Sequence, residues 1–148
     1  SDIIPPQYVS EDAVIERSII GEGSEIFGEV HNSVIGAGVT VAKGAVIRDS
    51  IIMRESVIGA GSVVDKAVIA ENVKIGSNVA LGVGEYAPSK YDPKVYQFDL
   101  VTVGENSIIP DNVKVGKNTA VVGETIVEDY PDGLLASGDY IIKAGGMR

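Results

Sequence analysis

Four tripeptides constrain this chain more than any other feature. Ser33-Val34-Ile35, Ser50-Ile51-Ile52 and Ala67-Val68-Ile69 recur every 17 residues, and Ser18-Ile19-Ile20 precedes them by 15. A fixed period of this length marks a stack of equivalent units, none of which can bury its apolar side alone. Within each unit a shorter period of about six runs through Ile35, Val41 and Ile47, then Ile52, Ile58 and Val64, then Ile69, Ile75 and Leu81. It resumes after an interruption at Val103, Ile109, Val115 and Val121. Small or β-branched residues stand two positions earlier: Ser33, Val39, Ala45, Ser50, Ser56, Ser62, Ala67, Val73, Val79, Val101, Ser107, Val113 and Thr119. A spacing of two puts both members of each pair on one side of a short strand. Three such strands, each ending at a corner, close one triangular coil, and neighbouring coils pair as parallel strands about 4.8 Å apart. The fold class is therefore all-β, a parallel β-helix built as a hexapeptide-repeat solenoid. Each buried Val or Ile contributes roughly 1.5–3 kcal/mol. Gly21, Gly36, Gly38, Gly44, Gly59, Gly61, Gly76, Gly104 and Gly116 fall at the turns, where positive φ is expected.

Composition agrees with a core of stacked aliphatics. The 148 residues hold 18 glycines and only 5% aromatics, yet 45% are hydrophobic. A net charge of −9 argues against nucleic acid and anionic membranes as partners, since both require a basic surface. The chain has no cysteine, so disulfide and thiolate chemistry are excluded. No apolar run has the length of a transmembrane helix, no signal peptide is evident, and the expected location is the cytoplasm.

Residues 84–100 break the period with two prolines and no alternation. They read as a loop leaving the solenoid, anchored by Tyr86, Tyr91, Tyr96 and Phe98. Residues 9–83 form coils before it, and residues 101–148 form the final coils and a C-terminal cap. In that cap a turn at Pro131-Asp132-Gly133 leads into one capping strand between Leu134 and Lys143, because an open solenoid edge invites association. The residue just before each inward aliphatic faces outward. On one side these are Ile19, Val34, Ile51 and Val68, a continuous aliphatic stripe of the kind that marks an interface. The second side carries Val46, Val63 and Ala80, and the third Glu25, Thr40, Val57 and Lys74. At the corners Arg48 is expected over Asp65 and Asp49 over Lys66, as surface ladders each giving roughly 0–1 kcal/mol.

Chemistry is sparse. His31, the single histidine, occupies an outward corner in the column of Arg48. Hexapeptide acyltransferases use a His base, but this position has no glycine-lined cofactor groove beside it. A zinc carbonic anhydrase would need three His ligands. The carboxylates scatter over solvent corners, and no phosphate-cradling loop opens a helix.

The ordered motifs resemble a known family. Pro5-Pro6-Gln7-Tyr8-Val9 is similar to the segment that joins the catalytic and β-helix domains of bacterial ADP-glucose pyrophosphorylase (glucose-1-phosphate adenylyltransferase). Asn32-Ser33-Val34-Ile35-Gly36-Ala37-Gly38-Val39 resembles that family's first full coil, and Asp49-Ser50-Ile51-Ile52-Met53 a characteristic turn. Val101 to Pro110 resembles its final coils, and Pro93-Lys94-Val95-Tyr96 fits the preceding loop. The resemblance implies a left-handed β-helix, although most parallel crossovers are right-handed. Residues 1–8 then become an interdomain linker remnant. The resemblance also implies a regulatory and oligomerisation domain, partnered by its own N-terminal catalytic domain in a homo- or hetero-tetramer, with a sugar phosphate as effector. Lys143 and Arg148 fall where relatives place basic effector contacts. The full enzyme would use Mg²⁺ and ATP to convert glucose 1-phosphate to ADP-glucose and pyrophosphate, in glycogen synthesis. The catalytic Gly-Gly-x-Gly-Thr-Arg-Leu loop is missing from this sequence, so no cofactor and no activity are expected of this chain alone. The alternatives are a stand-alone hexapeptide acyltransferase and the β-helix of a non-catalytic paralogous subunit.

Overall fold

The structure, a computed structural model, describes residues 6–143. Three parallel sheets wrap around one prism. The first face stacks Ile19–Ile20, Val34–Ile35, Ile51–Ile52, Ala67–Ile69, Val101–Val103, Thr119–Val122 and Tyr140–Ile142. The second stacks Val14–Glu16, Glu29–His31, Val46–Arg48, Val63–Asp65, Ala80–Leu81, Lys114–Val115 and Leu134–Leu135. The third stacks Tyr8–Val9, Glu25–Ile26, Thr40–Val41, Val57–Ile58, Lys74–Ile75 and Ile108–Ile109. Equivalent positions pair directly: Ile35 with Ile52, Val41 with Ile58, Ile47 with Val64. These aliphatics are at most 1% exposed, and they fill the axis from Ile26 to Val121 as one cluster.

The small inward residues do more than fit a narrow corner. Ser56 donates its hydroxyl to the Ala70 carbonyl at 2.8 Å and accepts the Val73 amide of the next coil at 3.0 Å. Ser24 and Ser62 repeat this pattern. Ser33 and Ser50 each donate to a carbonyl two residues back and accept an amide one coil on. Backbone groups at the corners lie outside the strand ladders, so these hydroxyls satisfy buried donors that would otherwise be orphaned. Among the described residues, every buried side-chain polar atom has a partner.

The corner glycines divide into two kinds, which corrects the sequence-based reading. Gly38, Gly44 and Gly61 do adopt positive φ. Gly21, Gly36, Gly59, Gly76, Gly104 and Gly116 do not. At Gly36 a Cβ would lie 2.8 Å from the Arg54 backbone nitrogen, so the next coil's main chain excludes any side chain there. Positive φ is instead widely taken by asparagine, at Asn32, Asn72, Asn78, Asn106, Asn112 and Asn118. Asparagine tolerates that region because its short side chain bonds locally.

Two further expectations change. The expected single capping strand is two short strands, Leu134–Leu135 and Tyr140–Ile142, which extend the second and first faces by one more turn. On the third face a 3-10 turn, Val127–Asp129, follows the last strand. Beside it Tyr130 is only 7% exposed, with its hydroxyl 3.0 Å from Thr125 Oγ1. Asp129 accepts from the Ile126 amide and from Lys143 Nζ, which together hold its carboxyl below the usual range. The corner ladders keep their register, with Arg48 opposite Asp65. Among the described residues neither ladder pair closes to ion-pair distance: Lys66 approaches Asp99 at 3.9 Å, and Asp49 accepts from Asn32 at 2.7 Å. Long cations at a corner reach past their own column, and an amide one coil away is a shorter span.

Ser56→Ala should lower stability by about 1–3 kcal/mol in urea denaturation, because it orphans the buried Val73 amide rather than merely removing an oxygen. Burial pushes the Tyr130 phenol up to about 12, with the Thr125 hydrogen bond opposing the shift. A folded-state pKa above the usual value of 10 contributes stability that is complete below that value and is lost as pH rises through the folded one. The melting temperature should therefore fall between about pH 10 and 12, and Tyr130→Phe should make that decline shallower.

Candidate functional site

Parallel pairing turns a sequence period into a surface column. Ile19 opposes Val34, Val34 opposes Ile51, and Ile51 opposes Val68. Ile19 is 68% exposed, Val34 44% and Ile51 45%, while Val68 is half-buried. Four strands at the parallel spacing make a strip about 14 Å long. Its aliphatic character ends where the column passes to Thr102. Shallow grooves flank it. One, of about 290 Å³, includes Met53 and the Arg54–Glu71 pair, whose closest atoms are 2.7 Å apart. The other, of about 310 Å³, includes Arg17, Asn32 and Asp49. The strip is thus apolar along its centre and charged at its margins. The other faces differ. Glu25 and Lys74 interrupt the third column, and Val46, Val63 and Ala80 of the second are half-buried.

The inserted loop forms the second candidate. Coil strands stop at Leu81 and resume at Val101, and equivalent corners across the gap, Asn72 and Asn106, are 34 residues apart. The aromatic residues are not its anchors as a group. Tyr86 is 69% exposed and Phe98 76%, while Tyr96 is half-buried. Tyr91 stacks its ring toward the coils, 5.0 Å from Tyr140 and 5.8 Å from Tyr96. The fastening is polar instead. Asn118, 1% exposed, donates to the Ala87 carbonyl at 2.9 Å and accepts the Asp99 amide at 2.8 Å, so one side chain clasps both ends of the loop. Lys90 adds a backbone bond to Gly138 and an ion pair to Asp139 at 2.8 Å. A loop leaving a sheet carries unpaired backbone groups, and these need polar partners more than apolar contact. Sequence reasoning missed Asn118. Its signal was available in Asn106, Asn112 and Asn118, which recur every six residues. Between the start of the loop and the second face lies a groove of about 650 Å³, lined by Tyr86, Val83, Ala80, Lys114, Leu134 and Ser137 among others.

The remaining candidate residues stand apart from these surfaces. His31 lies between Glu16, at 2.6 Å from Nδ1, and Glu29, at 2.9 Å from Nε2. Both ring nitrogens are occupied by carboxylates, so neither is free to take a proton from a substrate. Lys143 Nζ is paired with Asp129 at 2.9 Å, and Arg148 lies outside the described residues. Among the described residues no group of three or more His, Cys, Asp or Glu is placed to hold a metal ion.

Asn118→Ala should free both ends of the loop. Amide exchange and protease cleavage within residues 87–99 should then rise, while the coils before residue 81 keep their protection.

Known proteins place this geometry in context. The family described as "GlmU-like, C-terminal hexapeptide" matches residues 5–98. A glucose-1-phosphate adenylyltransferase of Lachnospira eligens is 61% identical over 98% of the chain, which covers 34% of that protein. One from Thermotoga maritima is 52% identical over 94% of the chain, covering 33% of that protein. One from Acetivibrio thermocellus is 38% identical over 95%. The chain therefore spans about a third of the length of these relatives. Among solved structures, the acetyltransferase domain of PglB from Neisseria gonorrhoeae FA1090 overlays with a TM-score of 0.53 at 17% identity, covering 96% of this chain and 53% of that one. That likeness concerns the fold alone.

Proposed function

Because the chain belongs to the family of GlmU-like C-terminal hexapeptide domains, we propose that it is the regulatory and oligomerisation module of a glucose-1-phosphate adenylyltransferase. The observation that carries this reading is the 61% identity to such an enzyme over 98% of the chain and a third of the relative. The whole protein would transfer the adenylyl group of ATP to glucose 1-phosphate, releasing pyrophosphate and forming ADP-glucose. Mg²⁺ and ATP would be held by the part of the enzyme outside this chain. By itself this module would be inactive.

Its contribution would be mechanical. A prism whose coils are joined on all three sides deforms little, so it can hold a neighbouring domain or subunit at a fixed distance. Ile19, Val34, Ile51 and Val68 would form the contact, against the enzyme's own catalytic domain or a neighbouring subunit of a tetramer. Covering the exposed part of each side chain would contribute about 1 kcal/mol, enough in sum to bias an assembly. A sugar-phosphate effector at Lys143 would share its ammonium group with Asp129, which already accepts one of the three N–H bonds at 2.9 Å. Among the described residues no helix is long and apolar enough to cross a membrane.

Ile51→Glu in the full-length enzyme provides the test. It places a charge at the centre of the strip without touching the core, because the Ile51 side chain faces outward. Light scattering should show loss of the native assembly, while the module's melting temperature changes by only a few degrees. An unchanged mass and unchanged effector response would overturn the assignment of this face.

A further inference from the structure

We propose that His31 is a pH-operated tie between the first two coils: as an imidazolium it holds Glu16 and Glu29, and on losing its proton it loosens the first coil. The geometry favours the protonated form. Nδ1 lies 2.6 Å from Glu16 Oε1, and Nε2 lies 2.9 Å from Glu29 Oε1. An ionised carboxylate only accepts, and neutral imidazole has one N–H, so two such bonds require two donors. Glu16 belongs to the first coil and pairs in register with His31, whereas Glu29 lies on the histidine's own strand. The cation therefore bridges carboxylates from adjacent coils. Without its second proton, the ring would present a lone pair to one of them.

The charges on the strands packed against His31 are few. Glu16 lies on one side, Arg48 stands in register on the other, and Glu29 shares the strand. Arg48 opposes the proton and the two carboxylates favour it. The balance lies with the carboxylates: the hydrogen bond to Glu29, then that to Glu16, raises the histidine above its ordinary value of 6.5. A raised histidine stabilises fully below its unfolded value and ceases to do so as pH rises through the folded one. The tie therefore loosens from near neutrality upward.

Such a tie matters more at an end of the prism than in an interior coil, and the first coil is one of its ends. Among the described residues it pairs with a coil on one side only, and Tyr8, Val9, Val14 and Ile19 are all at least 40% exposed. Beneath it Ile26, Val30 and Ile35 are almost fully buried. Opening the first coil would uncover this apolar end of the prism, and a rise in pH would make that opening more frequent.

The experiment follows His31 by NMR and measures amide exchange, corrected for intrinsic rates, at about pH 6 and about pH 8.5. Protection of residues 8–20 should fall several-fold at the higher pH, and protection of residues 57–69 should not. His31→Gln should abolish this dependence. Glu29→Gln, which leaves the histidine in place, should lower its titration midpoint. A midpoint at or below the ordinary value, or the same pH dependence in wild type and His31→Gln, would overturn the proposal.

Discussion

Each coil of this protein is held by the coil beside it. The amide of Val57 bonds the carbonyl of Val73, the amide of Val63 bonds that of Val79, and the same pattern recurs at corner after corner. Parallel pairing of this kind demands that each turn have the same shape as its neighbours. Ile47 must lie on Val64 and Val64 on Leu81, because a slip of one residue would turn every inward aliphatic outward. The six-residue period, the small partner two positions earlier and the glycines at close approaches all follow from that requirement.

The same requirement explains what happens outside the core. A residue facing outward is copied from coil to coil in position, so any apolar choice repeated there becomes a strip rather than a spot. Ile19, Val34, Ile51 and Val68 form such a strip, and its aliphatic run ends at Thr102 after the insertion. Insertions are tolerated only where both ends return to the same corner. Asn118 meets that condition by binding Ala87 and Asp99 together, which leaves the body of the loop free to display Tyr86 and Phe98. The two ends of the prism differ as well. Tyr130, Thr125 and Asp129 finish the C-terminal turn with a small polar network, whereas the first coil rests on exposed aliphatics and on the His31 bridge.

How far the site was legible follows from the range of the interactions involved. The outward stripe could be read directly, because strand alternation alone decides it. Asn118 was not read, since its partners are 31 and 19 residues away and belong to a loop without a period. The partner of Lys143 could not be read either, because Asp129 lies 14 residues earlier and comes beside it only through the fold. Loop aromatics suggested anchoring by burial, yet the backbone at a loop's neck is satisfied by amides and carbonyls rather than rings.

Sequence alone determined the coil. Periods of two, six and 17 specify which side chains point inward, how many strands make a turn, and which columns form on each face. These are local geometric consequences of the extended chain. The tertiary structure decided everything that depends on one coil meeting another. It showed that Gly36 is required by the backbone above it rather than by its own φ, and that Ser56 links coils through its hydroxyl. It also showed that His31 stands between two carboxylates brought together from different turns. The period lists residues in order along the chain, and contacts between turns depend on what lies a whole coil away.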